Sequence, residues 1–203
     1  MILIGRNLSP FVRRSATLMH MAGLSFEQQV ITTDDVEALS HFNPLLRVPA
    51  LQLDDEEVLI DSHAIIDYIL SEYDLDHRLC PGSGAARREV MRISAIAVGV
   101  MEKMLACAYE RNQRPADKVH TPYIDKVLAQ AVNGLNVLET LAEGVNFYGG
   151  NAPNLADVNA VVAYDFAMIV APHMVEECAL NHLPALVARA GEQPAFANTR
   201  WQG

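Results

Sequence analysis

Three short stretches hold residues whose types and spacing could do chemistry. The first is Ser9-Pro10, ahead of a segment that reads as a helix. A serine hydroxyl and free first-turn N–H groups there sit at the positive end of the helix dipole, where a thiolate is stabilised and its pKa lowered. The same serine can equally do no more than cap its helix. The second stretch is Asn43-Pro44-Leu45-Leu46-Arg47-Val48-Pro49-Ala50-Leu51. Val48-Pro49 opens an apolar strand, and a cis bond there would leave the Val48 N–H and C=O facing outward, free to pair with an extended peptide as another strand would. The third is Asp61-Ser62, where Ser62 reads as the N-cap of a helix whose orphan donors favour a carboxylate. A small peptide carrying a carboxylate fits the second and third stretches together.

The elements that must position these residues follow from periodicity and punctuation. Met1 to Gly5 reads as a short buried strand and Pro10 to Ala22 as a helix, with Ser9 at N-cap, Pro10 at N1 and Gly23 as the stop. Phe26 to Ile31 is the next strand, followed by a short helix over about Asp34 to Phe42. Ala50 to Leu53 and Val58 to Ile60 form a hairpin across Asp54-Asp55-Glu56-Glu57, and Ser62 to Glu72 a helix. Four acids in place of Asn-Gly or Asp-Gly predict a solvated loop longer than the tight two-residue turn. The order β-α-β-α-β-β-α is that of a thioredoxin-like half, over residues 1–76. A linker at 77–84, with Pro81-Gly82 and Ser83-Gly84, leads into a helical remainder over 85–203. There Ala85 to about Arg111, Tyr123 to about Leu141 and Leu155 to Val170 are long helices, the last apolar nearly all round and so buried. Shorter helices are expected over about Leu183 to Ala190 and Ala195 to Trp201.

Asn154 and Asp157 open the buried helix with a capping pattern, Asn154 at N-cap and Asp157 in the first turn, and belong to folding. Composition narrows the function classes. The 203 residues are 51% hydrophobic with a net charge of −10. Residues 1–76 carry only Arg6, Arg13, Arg14 and Arg47 against thirteen acids, and nucleic acid as a partner would need a basic footprint instead. Arg13, Arg14 and Arg47 flank the motifs above, either to attract an anionic ligand or as solvated surface side chains. No apolar run reaches the roughly 18 residues of a membrane span, and the start lacks the pattern of a signal peptide, so the expected compartment is the cytoplasm. Cys80, Cys107 and Cys178 form no Cys-x-x-Cys pair, and the histidines show no metal-ligand spacing, so neither a disulfide framework nor a metal site is expected.

Ser9-Pro10-Phe11-Val12-Arg13-Arg14, the Asn43-to-Leu51 stretch, Asp61-Ser62-His63-Ala64-Ile65 and Asn154-Leu155-Ala156-Asp157 occur in the order and spacing of the cytosolic glutathione transferase family, which the whole chain resembles. The resemblance implies a thioredoxin-like N-terminal domain and an all-α C-terminal domain, assembled as a homodimer. It implies glutathione as co-substrate and detoxifying conjugation of its thiolate to small, mainly apolar electrophiles, with Ser9 catalytic. Val48 would pair through its backbone with the cysteinyl unit, held by a cis Pro49. Asp61 and Ser62 would take the γ-glutamyl amine and carboxylate, and Arg47 the glycyl carboxylate. Met101, Met104, Tyr109 and Tyr164 are candidates to line an apolar second-substrate cleft. The family pattern has glycine near Leu46, a departure that alters the loop. The absence of a cysteine at Ser9 or Val12 argues against thiol–disulfide exchange through a protein thiolate. A glutathione-dependent isomerase and a non-catalytic binding protein on the same scaffold are the alternatives.

Overall fold

The computed structural model describes residues 1–202. It runs β1 (Ile2–Ile4), α1 (Pro10–Met21), β2 (Glu27–Gln29), α2 (Val36–Ser40), β3 (Ala50–Gln52), β4 (Val58–Ile60) and α3 (Ser62–Tyr73), then α4 (Gly84–Asn112), α5 (Thr121–Ala142), α6 (Leu155–Val170), α7 (Pro172–Glu177), α8 (His182–Gly191) and α9 (Pro194–Ala197). A single 3-10 turn, Ala116–Lys118, joins α4 to α5. This is the glutathione transferase fold expected from the sequence: a thioredoxin-like α/β domain followed by helices.

The four strands form one sheet in the order β2-β1-β3-β4, with β1 parallel to β2 and antiparallel to β3. Period-2 alternation assigns its faces. Ile4 and Ala50 are buried with Leu39 of α2, against Ile2, Val58 and Ile60. Leu3 and Leu51, which pair across β1 and β3, are fully buried on the opposite face, where α1 and α3 pack. The β3–β4 hairpin closes with the Leu53 N–H donating to Glu57 O at 2.8 Å, leaving the three acids 54 to 56 as the loop. That is one residue longer than the tight turn, and Glu56 takes the left-handed conformation (φ 72°) usually filled by glycine.

Helix α1 ends as the sequence predicts. Gly23 (φ 75°) follows the C-cap Ala22, its N–H donates to His20 O and the Leu24 N–H donates to Met19 O, a Schellman closure. Asp74, buried, accepts the N–H groups of Leu79 and Cys80 at 2.9 and 2.8 Å and so ties down the chain that leaves α3.

The chain divides into two units, 1–82 with the segment from Glu192 onward, and Ser83–Gly191. The expected division gave everything from 85 to 203 to the helical half. The last segment instead groups with the first unit, for identifiable reasons. Helix α9 packs on α1, the buried hydroxyls of Thr17 and Thr199 bond at 2.8 Å, and the Arg6 guanidinium lies 5.8 Å from the centre of the Trp201 ring. The expected helix over Ala195 to Trp201 is correspondingly short.

In the second unit α4 packs against α5 and α6. The capping box forms as expected: Asn154 Oδ1 accepts the Ala156 N–H at 2.8 Å and Asp157 Oδ2 accepts the Asn154 N–H at 2.9 Å. Fully buried Asp157 also accepts from the N–H groups of Tyr148 and Gly149, at 2.7 and 3.0 Å. Burial outweighs these donors and raises its pKa to about 6. Glu139 of α5 accepts the N–H groups of Asn181, His182 and Leu183 at 2.7 to 2.9 Å and thereby caps α8 from another helix. Burial alone would raise its pKa, but those three donors and the charge of His182 bring it below the usual value. Among the described residues no helix is long and apolar enough to cross a membrane.

Candidate glutathione site

Strand register brings three of the sequence motifs to one end of the sheet. Ile4 pairs with Ala50 and Ala50 with Ile60, so the residues just beyond these pairs lie side by side. They are Gly5, which leads toward Ser9, then Val48-Pro49, and then Asp61-Ser62. Gly5 makes this convergence possible. A Cβ at that position would come within 2.6 Å of Val12 Cγ2 and 3.0 Å of Val48 Cβ, and its φ of 123° is one that side chains rarely adopt. The start of α1 and the Val48 segment therefore approach each other across a glycine. Gln28 of β2 holds the same turn, donating through Nε2 to Gly5 O and Asn7 Oδ1, both at 2.9 Å.

Ser9 is the N-cap of α1 (φ −69°, ψ 121°), with Oγ accepting a long 3.5 Å bond from the Val12 N–H and Pro10 at N1. Only an oxygen lone pair is used in that bond, so the hydroxyl proton remains to be donated. Val48-Pro49 is cis. Among the described residues neither the Val48 N–H nor its C=O has a backbone partner, whereas β3 begins its ladder two residues later. The preceding loop is built on buried Asn43. Its Oδ1 accepts the Leu45 N–H at 2.9 Å, its Nδ2 donates to Arg47 O at 2.8 Å, and its backbone carbonyl accepts the Leu46 N–H at 2.9 Å. Leu46 has φ 54°, the left-handed region, so the departure from glycine marked in the sequence falls where glycine would be least strained. Its side chain is retained by packing against the Ile4–Ala50 core. Arg47 is exposed.

The helix start at Asp61-Ser62 differs from expectation by one residue. Asp61, not Ser62, is the N-cap of α3; it has φ 72° and ψ 136°, and its Oδ1 accepts the His63 N–H at 2.8 Å. Both residues are good cap formers, and the strand ladder, which ends at Ile60, decides which of them turns the chain. His63 Nδ1 reaches the same Oδ1 at 3.0 Å. Burial would raise the Asp61 pKa, but the His63 hydrogen bonds and the charges of His63 and Arg14 bring it below the usual carboxylate value. Ser62 is 2% exposed, and its Oγ accepts a bond from Arg14 Nη1 at 3.2 Å. A ligand group that reaches this hydroxyl leaves water behind.

Arg13 and Arg14 are therefore not solvated surface side chains. Both are buried, at 4% and 2% exposure, and Arg14 links α1 to the start of α3. Spacing alone hides this, because arginine is rarely so buried without specific partners. Gly5, Gln28 and the Arg14–Ser62 bond were missed by sequence reasoning. The usable signal was Gly5 itself, a glycine ending an apolar strand.

The second-substrate candidates lie in the other unit and are described there alone. Met101 and Met104 of α4 are fully buried, so contact with a ligand would require them to move. Tyr109 is 45% exposed and Tyr164 partly exposed. Among the described residues no group of three or more His, Cys, Asp or Glu is arranged to hold a metal ion. Burial raises the pKa of the Cys107 and Cys178 thiols, the opposite of what a protein nucleophile needs.

Residues 3–77 match the family model for the glutathione S-transferase N-terminal domain. Over 202 residues the chain is 28% identical to YibF, an uncharacterized GST-like protein of Escherichia coli strain K12, covering 98% of each. It is 27% identical over 207 residues to glutathione S-transferase 3 of Zea mays, covering 97% of this chain and 91% of the maize protein. A glutathione S-transferase from Methylobacillus flagellatus KT, solved with glutathione bound, superposes with a TM-score of 0.89 at 24% identity over 98% of each chain, which establishes a shared fold. Residues 3–77 thus match a glutathione S-transferase N-terminal domain, and over nearly its whole length the chain is similar to glutathione S-transferase and GST-like proteins.

Proposed function

We propose that this protein is a glutathione transferase that conjugates the glutathione thiolate to small, mainly apolar electrophiles. The observation that carries the reading is the strand register, which sets the unpaired Val48 backbone, the Asp61-Ser62 helix start and the turn leading to Ser9 at one end of the sheet. An extended tripeptide would add to Val48 as a short strand, through its cysteinyl unit. Its γ-glutamyl ammonium would meet the Asp61 carboxylate, its α-carboxylate the Ser62 hydroxyl and the first-turn donors of α3, and its glycyl carboxylate Arg47. This places the thiol near the start of α1. There the Ser9 hydroxyl donates a hydrogen bond to the sulfur and the dipole of a 12-residue helix favours the anion, so that the thiol proton is released to water. The thiolate then attacks the electrophilic carbon. A C–S bond forms, and the electron pair of the broken bond goes to the leaving group or, in an addition, to the adjacent atom, which takes a proton from water.

Tyr109 and Tyr164 of the helical unit, both accessible, are the candidates to touch the electrophile, and Met101 and Met104, fully buried, would have to move to reach it. The maize relative's name and the glutathione in the Methylobacillus structure support the same co-substrate. We assign the protein to detoxification in the cytoplasm as a homodimer; light scattering at micromolar concentration should give twice the chain mass, and a monomer would remove that part of the reading. Calorimetric titration with glutathione, followed by product analysis with a panel of electrophiles and cis-olefinic acids, tests the activity. Binding without turnover would make the chain a binding protein, and isomerised product without consumption of glutathione would make it an isomerase.

A further inference from the structure

We propose that the seam between α4 and α6 contains an internal hydration site, in which ordered water is bound between the Asn159 amide and the Ser94 hydroxyl. Asn159 of α6 is fully buried, and Ser94 of α4 is 4% exposed. Among the described residues, Asn159 Oδ1, Asn159 Nδ2 and Ser94 Oγ have no hydrogen-bond partner. Other buried polar side chains of this unit differ: Glu110, Asn154 and Asp157 each accept a main-chain N–H. A buried amide without a partner is costly, and about nine in ten buried polar groups in folded proteins are bonded to protein or to ordered water. Asn159 offers both a donor and an acceptor, and Ser94 a hydroxyl that can serve as either. Water can donate and accept, and these atoms supply the two to four partners that a buried water takes.

Helix register brings the two side chains to one place. A Cβ on Gly134 of α5 would meet Val100 Cγ2 at 2.5 Å and Ile96 Cγ2 at 3.8 Å, while Ile124 and Val127 cluster with Cys107, so α5 runs antiparallel to α4. Helix α6 begins beside the end of α5, because Tyr148 donates its hydroxyl to Leu138 O and its N–H to Asp157. It ends beside the end of α4, where Val170 packs on the Cys107 cluster and its carbonyl accepts Arg111 Nη1 at 3.3 Å. Helices α4 and α6 are therefore parallel. Asn159 lies eleven residues back from Val170 and Ser94 thirteen back from Cys107, a difference in height of about 3 Å at about 1.5 Å per residue. At about 100° per residue, Asn159 points within roughly 20° of Val170, toward α4. Ser94 is turned roughly 120° to 160° from the Ile96 and Val100 stripe that meets α5, toward the side packed on α6. Two unpaired buried groups thus face one seam at one level.

A double-mutant cycle on the full chain, read by urea unfolding, tests whether the two groups share a ligand. Ser94→Ala and Asn159→Leu should each lower the folding equilibrium constant by about fivefold to thirtyfold, because each removes a partner of the water and leaves the other side chain poorly paired. Combined, they make the site apolar on both sides, and the loss should not exceed the larger of the two single losses. If Asn159→Leu does not fold, Asn159→Ala takes its place in the cycle. A crystal structure of the unaltered protein, fine enough to show ordered water, should have water within hydrogen-bond distance of both the Asn159 amide and Ser94 Oγ. Single losses that multiply in the combined variant overturn the proposal. So does a dry seam, or water that touches only one of the two residues.

Discussion

Replacing Ser62 by Ala probes the joint between fold and ligand. The hydroxyl accepts from a buried guanidinium at 3.2 Å, and a hydrogen bond to a charged group contributes about 1.5–3 kcal/mol. Ser62 occupies the first helical position and Asp61 the cap, so the helix keeps its N-cap and the loss is confined to that bond. A chain of this length shifts by about 2–4 °C per kcal/mol, so the unliganded melting temperature should fall by roughly 3–12 °C. If the same hydroxyl also donates to the γ-glutamyl carboxylate, a second charge-assisted bond is lost on binding, and the dissociation constant for glutathione should rise roughly tenfold to a hundredfold. Differential scanning fluorimetry reads the first effect and calorimetry, well below the melting temperature, the second. A lower melting temperature with unchanged affinity would refute the role of Ser62 in binding and leave it as an anchor for Arg14.

Other consequences follow from the same geometry. Ser9→Ala should lower the conjugation rate by about tenfold to a hundredfold with glutathione affinity nearly unchanged, and raising the pH should recover part of the loss; a rate lost equally at every pH would contradict activation through the hydroxyl. Asp157→Ala leaves the buried N–H of Asn154 and the part-buried N–H groups of Tyr148 and Gly149 without their acceptor and should cost about 2–4 kcal/mol, measured by urea unfolding of the helical signal. Glu139 has a pKa lowered by folding, so its contribution is present above the usual glutamate range and lost as pH falls through its folded value. Glu139→Gln should therefore flatten the acid limb of the stability profile, and an identical limb would show that the capping of α8 carries no linkage.

What was legible in the sequence was local. Ser9, Pro10 and Gly23 bound α1 within one residue, and the capping box with an apolar run fixed α6 at its observed limits. Helix α7 was missed because its six residues show less than two turns of period and open on Pro172. The last helix shrank because the segment after Glu192 is held by contacts with α1, and no pattern within it shows that. The site divides in the same way. Val48-Pro49 and Asp61-Ser62 were readable as motifs, but their meeting depends on pairings of Ile4 with Ala50 and Ala50 with Ile60 that join distant segments. The bond from Arg14 to Ser62 spans 48 positions, and a buried arginine leaves no periodic trace. At Asp61 two adjacent cap formers made the choice ambiguous, and the strand end resolved it.

The central claim is that the start of α1 ionises a thiol brought there by the Val48 edge. It is tested most directly by ultraviolet titration of the thiolate band of glutathione bound at saturation, with free glutathione as reference. The account predicts a bound-thiol pKa below that of the free peptide, partly restored toward it by Ser9→Ala. A bound-thiol pKa equal to or above the free value would contradict it.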